Sequence, residues 1–206
     1  MTASTQASRR RAASRAAPTR GDVWKGIAAA FAQHGFRTVD ESLRRIAPPA
    51  VQVVHARYKS TRGGSLRFTL DLGVFFPQAY AKIRVLRPRK APREGTRDCM
   101  CTIRCNVGAL LGPEMVEHWW KVPAGAARED VAGLVSDAVD NAAVPWLDRC
   151  SNPRLAMDET DRLDAISLAL MLGDLETARR LALLAEVEST PTPGLHDWAR
   201  RRWLVP

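Results

Sequence analysis

Leu66-Arg67-Phe68-Thr69-Leu70-Asp71-Leu72-Gly73-Val74-Phe75-Phe76 is the stretch on which the fold turns. Leu66, Phe68, Leu70, Leu72, Val74 and Phe76 alternate with Arg67, Thr69, Asp71 and Gly73. A period of two puts successive side chains on opposite sides, so the segment reads as a strand. The alternation predicts one face on a core and the other toward solvent, with Pro77 as the terminator. Just upstream, Gly63-Gly64 is a hairpin signal. It joins this strand to another over residues 51–59, which opens with Val51, Val53 and Val54. Residues 36–47 predict one further strand, more weakly patterned.

Downstream, residues 99–107 alternate again. Cys99, Cys101, Ile103, Cys105 and Val107 share one face, and Met100, Thr102, Arg104 and Asn106 the other. Residues 117–122, with Trp119 and Trp120, read as a short strand broken by Pro123 and Gly125. Helices flank this β-rich centre. Asp22 is placed to cap a helix whose apolar face holds Val23, Ile27, Ala30, Phe31 and His34, and Gly35 suits its C-terminal cap. Glu129 and Asp130 open a second helix with a buried stripe of Val131, Leu134, Val135, Ala138, Val139 and Ala142. Pro145 is expected to break it and to open a short helical segment with Trp146 and Leu147. A helix hairpin follows. Leu163, Ile166 and Leu170 mark one arm, Gly173-Asp174 the turn, and Leu175, Ala178, Leu181 and Ala182 the other arm.

The fold class expected is therefore α+β: an antiparallel sheet of four to six strands, an N-terminal helix and a C-terminal helical part. The division expected is a disordered Arg-rich tail over 1–20, an α+β domain over 21–150 with a basic insert at 79–98, a helix hairpin over 151–189, and a linker and short tail over 190–206.

The chain has 206 residues, a net charge of +9 and 46% hydrophobic residues. That apolar fraction excludes wholesale disorder. No apolar run reaches the ~18–20 residues of a membrane span, and four cysteines are too few for a disulfide scaffold. The charge is localised. Residues 1–20 hold five arginines and no acid, and residues 79–98 hold seven basic residues against Glu94 and Asp98. The rest is close to neutral. The N-terminus lacks the apolar core of a secretory signal, although its Arg- and Ser-rich start superficially matches a transit peptide. The expectation is a cytoplasmic protein.

Chemistry-bearing motifs are few. Cys99, Cys101 and Cys105, with Cys150, do not make the paired C-x₂-C knuckles usual for zinc, and their place on an apolar strand face suits small buried hydrophobes better. His34, His55, His118 and His196 show no i, i+4 pair and no H-E-x-x-H. No P-loop, G-x-S-x-G or G-x-G-x-x-G occurs. Asp158, Glu159 and Asp161 precede a helix and suit N-terminal capping. Trp119, Trp120 and Trp146 read as core. Accordingly no catalytic residue, metal ligand or cofactor is assigned.

The helix ending in Gly35-Phe36, the stretch Phe68 to Val74 with its closing Pro77, Trp119-Trp120 and Pro145-Trp146-Leu147 resemble the bacterial "domain of unknown function 4304" family over about residues 22–150. The resemblance implies a compact α+β domain with an antiparallel sheet. It implies no established activity and carries over no catalytic residue. The basic insert and the Arg-rich tail depart from it.

Three function classes follow. The leading one is a non-enzymatic binding or protein-interaction module, immunity-like by analogy, with an unidentified protein partner. The second is nucleic-acid binding through the tail and insert, with Arg9, Arg10, Arg11, Arg87, Arg89, Lys90, Arg93, Trp198 and Arg201 as contact candidates. The third is an enzyme whose site is assembled from distant residues. A pocket collecting His55, His118 or Asp71 is its expected mark.

Overall fold

The computed structural model describes residues 18–60, 65–83, 101–123 and 126–187. Six antiparallel strands form one sheet: β1 (Arg37–Val39), β2 (Ser42–Ala47), β3 (Ala50–Ser60), β4 (Leu66–Phe75), β5 (Ile103–Asn106) and β6 (Trp120–Val122). The first five follow one another in space, and β6 also pairs with β4. The fold is α+β, as the alternation predicts.

The pairing registers set the shape. β4 pairs with β3 along its whole length, from Val51↔Phe75 to Ser60↔Leu66. The far edge of β4 is covered in two pieces, by β5 at Asp71 to Val74 and by β6 at Leu66 to Phe68. The outer edge of β3 is covered only from Ala50 to His55, because β2 begins at Ser42.

The N-terminal helix α1 (Arg20–Ala32) is capped by Thr19, whose hydroxyl accepts from the Asp22 amide at 3.1 Å. Asp22 is therefore not the cap. It sits in the first turn, where the Thr19 hydroxyl donates to its carboxylate and lowers its pKa. The other end is a Schellman motif. Gly35 has φ +81°, the Phe36 amide reaches the Phe31 carbonyl, and the Gly35 amide reaches that of Ala32. The Phe31 and Phe36 rings then meet edge to face at 5.2 Å. Val23, Ile27, Ala30 and Phe31 are buried, as their spacing predicts.

Residues 36–47 form two strands, not one. A two-residue turn at Asp40-Glu41 folds β1 back on β2, and Asp40 takes φ +53°. Asp tolerates that left-handed conformation better than most residues. A second turn, Pro48-Pro49 with its peptide cis, joins β2 to β3.

Phe68, Leu70, Leu72 and Val74 are fully buried on the helix-covered face. The other face of β4 is not simply solvent. Thr69 is fully buried, and Phe75 packs with Val53 and Cys101 under Tyr80 of α2 (Pro77–Ile83). Covering segments from elsewhere in the chain override the alternation there. Cys101 also parts from Cys105. The strand begins only at Ile103, so Cys101 joins this small second cluster while Cys105 packs against the main core. Cys99 lies outside the described residues.

A single turn, α3 (Gly108–Leu111), follows β5. The helix α4 (Arg128–Ala138) crosses α1 so closely that a Cβ on Gly26 would fall 2.5 Å from Val131 Cβ. Val131, Val135, Ala138 and Val139 are buried, whereas Leu134 is 41% exposed and Ala142 only half-buried. Pro145 does not break this run. A π-helical turn (Val139–Ala143) leads into α5 (Val144–Cys150), and Pro145 falls in its first turn, where its missing amide costs least. Wider π geometry at one turn lets the chain stay helical through the proline.

A turn of helix α6 (Pro153–Ala156) and a 3₁₀ turn (Met157–Glu159) lead to α7 (Arg162–Met171), which Asp161 caps by accepting from the Asp164 amide. Glu159 instead pairs with Arg149 at 2.7 Å. Gly173 turns the chain at φ +74° into α8 (Leu175–Val187). Ile166, Ala169, Leu170, Ala178 and Ala182 form the hairpin's own core, but Leu175 is 58% exposed. No helix among the described residues is long and apolar enough to cross a membrane.

Candidate functional site

From Ala56 to Ser60, β3 keeps its bonds to β4 but has no strand on its other side among the described residues. Backbone N–H and C=O groups along such an edge point outward at alternate residues. A cleft of ≈ 620 Å³ lies there, and His55, Ala56, Arg57, Tyr58 and Lys59 all line it. Consecutive strand residues project to opposite faces. A cavity touched by five in a row therefore straddles the edge rather than lying on a face.

Three distant segments wall it. The first two turns of α1 bring Arg20, Gly21 and Trp24. The β1–β2 turn brings Asp40 and Glu41, and the His55 ring Nδ1 lies 3.2 Å from the Glu41 carbonyl, which holds that turn against the strand. The segment before β6 brings Trp119.

The aromatic walls are held in place. Trp119 donates its indole N–H to Glu117 at 2.9 Å, and Glu117 also accepts from Arg57 at 2.8 Å. Arg57 donates in turn to both Asp71 oxygens, and Asp71 accepts from Asn106 at 2.8 Å. Asn106 then accepts from the Gly108 amide at 2.9 Å. This chain of bonds ties the cleft wall to β4 and β5. The hydrogen bonds to Asp71 and then Glu117 raise the Arg57 pKa, and those from Arg57 and Trp119 lower that of Glu117. Lys59 stands 4.0 Å above the Trp119 ring and Arg57 5.7 Å above it, while Arg20 stands 5.7 Å above Tyr58. Burial pushes the Tyr58 hydroxyl up to about 12, and the nearby Arg20 charge opposes that rise.

Several polar groups elsewhere among the described residues are committed to structure. His34 meets Asp140 at 2.7 Å, joining the end of α1 to the π turn. Gln52, fully buried, is satisfied by Arg45, Asp148 and Ser151. Burial raises the thiol pKa of Cys105, and that of Cys150 to about 11, which disfavours the nucleophilic thiolate. Among the described residues no three His, Cys, Asp or Glu side chains are grouped to hold a metal ion.

The candidates from the sequence fare unevenly. Arg9, Arg10, Arg11, Arg87, Arg89, Lys90, Arg93, Trp198 and Arg201 lie outside the described residues. Of His55, His118 and Asp71, only His55 lines the cleft. His118 packs edge-on against Trp120 at 4.6 Å, and Asp71 holds Arg57. Trp120 and Trp146 are buried as expected, but Trp119 is half-buried on the cleft wall and not core. The strand starts at Trp120, three residues later than the sequence suggests, so Trp119 escapes its pairing. Trp24 and Tyr58 carry no local signal of a site, because their partners lie far off in the chain.

No curated protein and no solved structure matches the chain. The order assembled above, from the Gly35-Phe36 cap through the β3–β4 ribbon to the helical run around Pro145, does match a family described as Domain of unknown function (DUF4304). The match covers residues 27–149, more than half of the chain, and the chain therefore belongs to that family.

Proposed function

We propose that this chain is a non-enzymatic binding module and that its binding surface is the cleft at the open end of β3. One observation carries the reading: the outer edge of Ala56 to Ser60 is unpaired among the described residues, and Ala56 to Lys59 line a walled cavity of ≈ 620 Å³. Half-buried aromatic rings with charged groups over them are the usual furniture of recognition surfaces.

Site-specific photo-crosslinking in the source cell tests this. A photoreactive residue at Lys59, on the cleft rim, is expected to give a discrete adduct. The same residue at Leu183, exposed on α8, is expected to give none. Equal labelling at both positions, or no adduct at Lys59, overturns the assignment of the cleft.

A further inference from the structure

We infer that the occupant of the cleft is an extended polypeptide, added as a strand to β3, with a basic residue at one end and an acidic residue at the other. This inference rests on the cleft reading above. Its first support is the backbone. Ala56 to Ser60 continue the line along which β2 pairs with Ala50 to His55, and nothing among the described residues takes up that line past the Asp40-Glu41 turn. A polypeptide satisfies a strand edge because its own backbone repeats at the same spacing. Five residues at about 3.3 Å each give an edge of about 17 Å.

The second support is charge polarity along that edge. Asp40 and Glu41 stand at the His55 end. Glu41 has no ion-pair partner among the described residues, and Asp40 has only a loose contact to Arg44 at 3.9 Å. At the other end, Arg20 and Lys59 lie over aromatic rings with no carboxylate at ion-pair distance among the described residues. Arg57 is shared between Asp71 and Glu117, and the surplus negative charge of that trio is outweighed at this end by Arg20 and Lys59 together. The cleft is thus negative at one end and positive at the other. His55 and Lys59 are four residues apart, about 13 Å in a strand. A strand carrying a basic and an acidic residue about four positions apart matches both ends.

A single-stranded nucleic acid suits the site less well. Its bases could stack on Trp119 and Tyr58. Its phosphates would, however, run into the Asp40 and Glu41 carboxylates, and the outward backbone groups of β3 would have no partner.

The probes are a displayed library of random twelve-residue peptides and a (dT)15 oligonucleotide, each presented to the full chain. Peptides are expected to enrich with opposite charges about four positions apart. N-methylation of the tightest peptide at alternate backbone positions should weaken it at least 10-fold, and at the intervening positions much less. Glu41→Lys and Lys59→Glu should each weaken it about 10-fold, with binding restored when the facing peptide charge is reversed. Circular dichroism and the denaturation midpoint of both variants should match the parent. A flat N-methyl scan, or no charge-swap rescue, overturns strand addition. If only (dT)15 binds, and Trp119→Ala abolishes that binding, the polypeptide inference falls while the cleft reading stands. If no ligand responds to Trp119→Ala, both fall.

Discussion

The two halves of β3 share one strand and one alternation, yet they end in opposite circumstances. From Val51 to His55 the strand is paired on both edges, and Gln52, Val53 and Val54 are fully buried. From Ala56 to Ser60 it is paired on one edge, and Ala56 to Lys59 line a cleft. Across the sheet, β5 and β6 divide the far edge of β4 between them, so both of its ends are covered. On the β3 side the chain turns back at Asp40-Glu41 before reaching the second half. An open edge is ordinarily a liability. Here it is bordered by charges and by rings that are held in fixed positions.

The comparison can be broken at several strengths. Phe68 pairs with Tyr58 beneath the open half, is fully buried and stacks on Trp120 at 5.2 Å. Phe68→Ala is expected to cost about 3–5 kcal/mol in denaturant unfolding. A much smaller loss would mean that the open half is loosely held. In the closed half, Gln52→Ala leaves Arg45, Asp148 and Ser151 short of a partner and should cost about 2 kcal/mol. Trp119→Ala should abolish ligand capture at the cleft while lowering stability by about 1 kcal/mol or less, because the ring is only half-buried.

Tyr58 gives a pH test of the same end. Its folded pKa, about 12, lies above the ordinary 10.0, so the folded state holds the proton more tightly than the unfolded state. The resulting stabilisation is complete below pH 10 and is lost as pH rises toward and through 12. The parent should therefore lose more stability than Tyr58→Phe between pH 9 and 12, measured by the midpoint of urea unfolding. Parallel losses would place Tyr58 in water. The smallest effect is at the rim: Lys59→Ala should change stability by no more than about 0.5 kcal/mol, whatever it does to binding.

What could be read from local pattern is clearest at β4. Six apolar residues at period two leave little alternative to a strand, and the Gly35 cap announces the end of α1 as plainly. The errors have common causes. Phe75 and Thr69 are buried on a face the alternation assigns to solvent, Phe75 because Tyr80 of α2 and Cys101 arrive there from other parts of the chain, and Thr69 beside Asn106 of β5. The split of residues 36–47 turned on Asp40 accepting a positive φ, a weak signal without the usual glycine. Pro145 looked like a break because a π turn, which relieves it, has no sequence signature of comparable strength.

Composition, periodicity and caps established the α+β class, the buried face of β4 and the helix hairpin, since each depends on residues within a few positions of one another. The cleft does not. Arg20, Asp40, Tyr58 and Trp119 come from a helix start, a turn, a strand and a loop, and they meet because β2 begins only at Ser42 and α1 crosses α4 at Gly26. Register and helix packing set those meetings through contacts distant in the chain, which no window along the sequence contains.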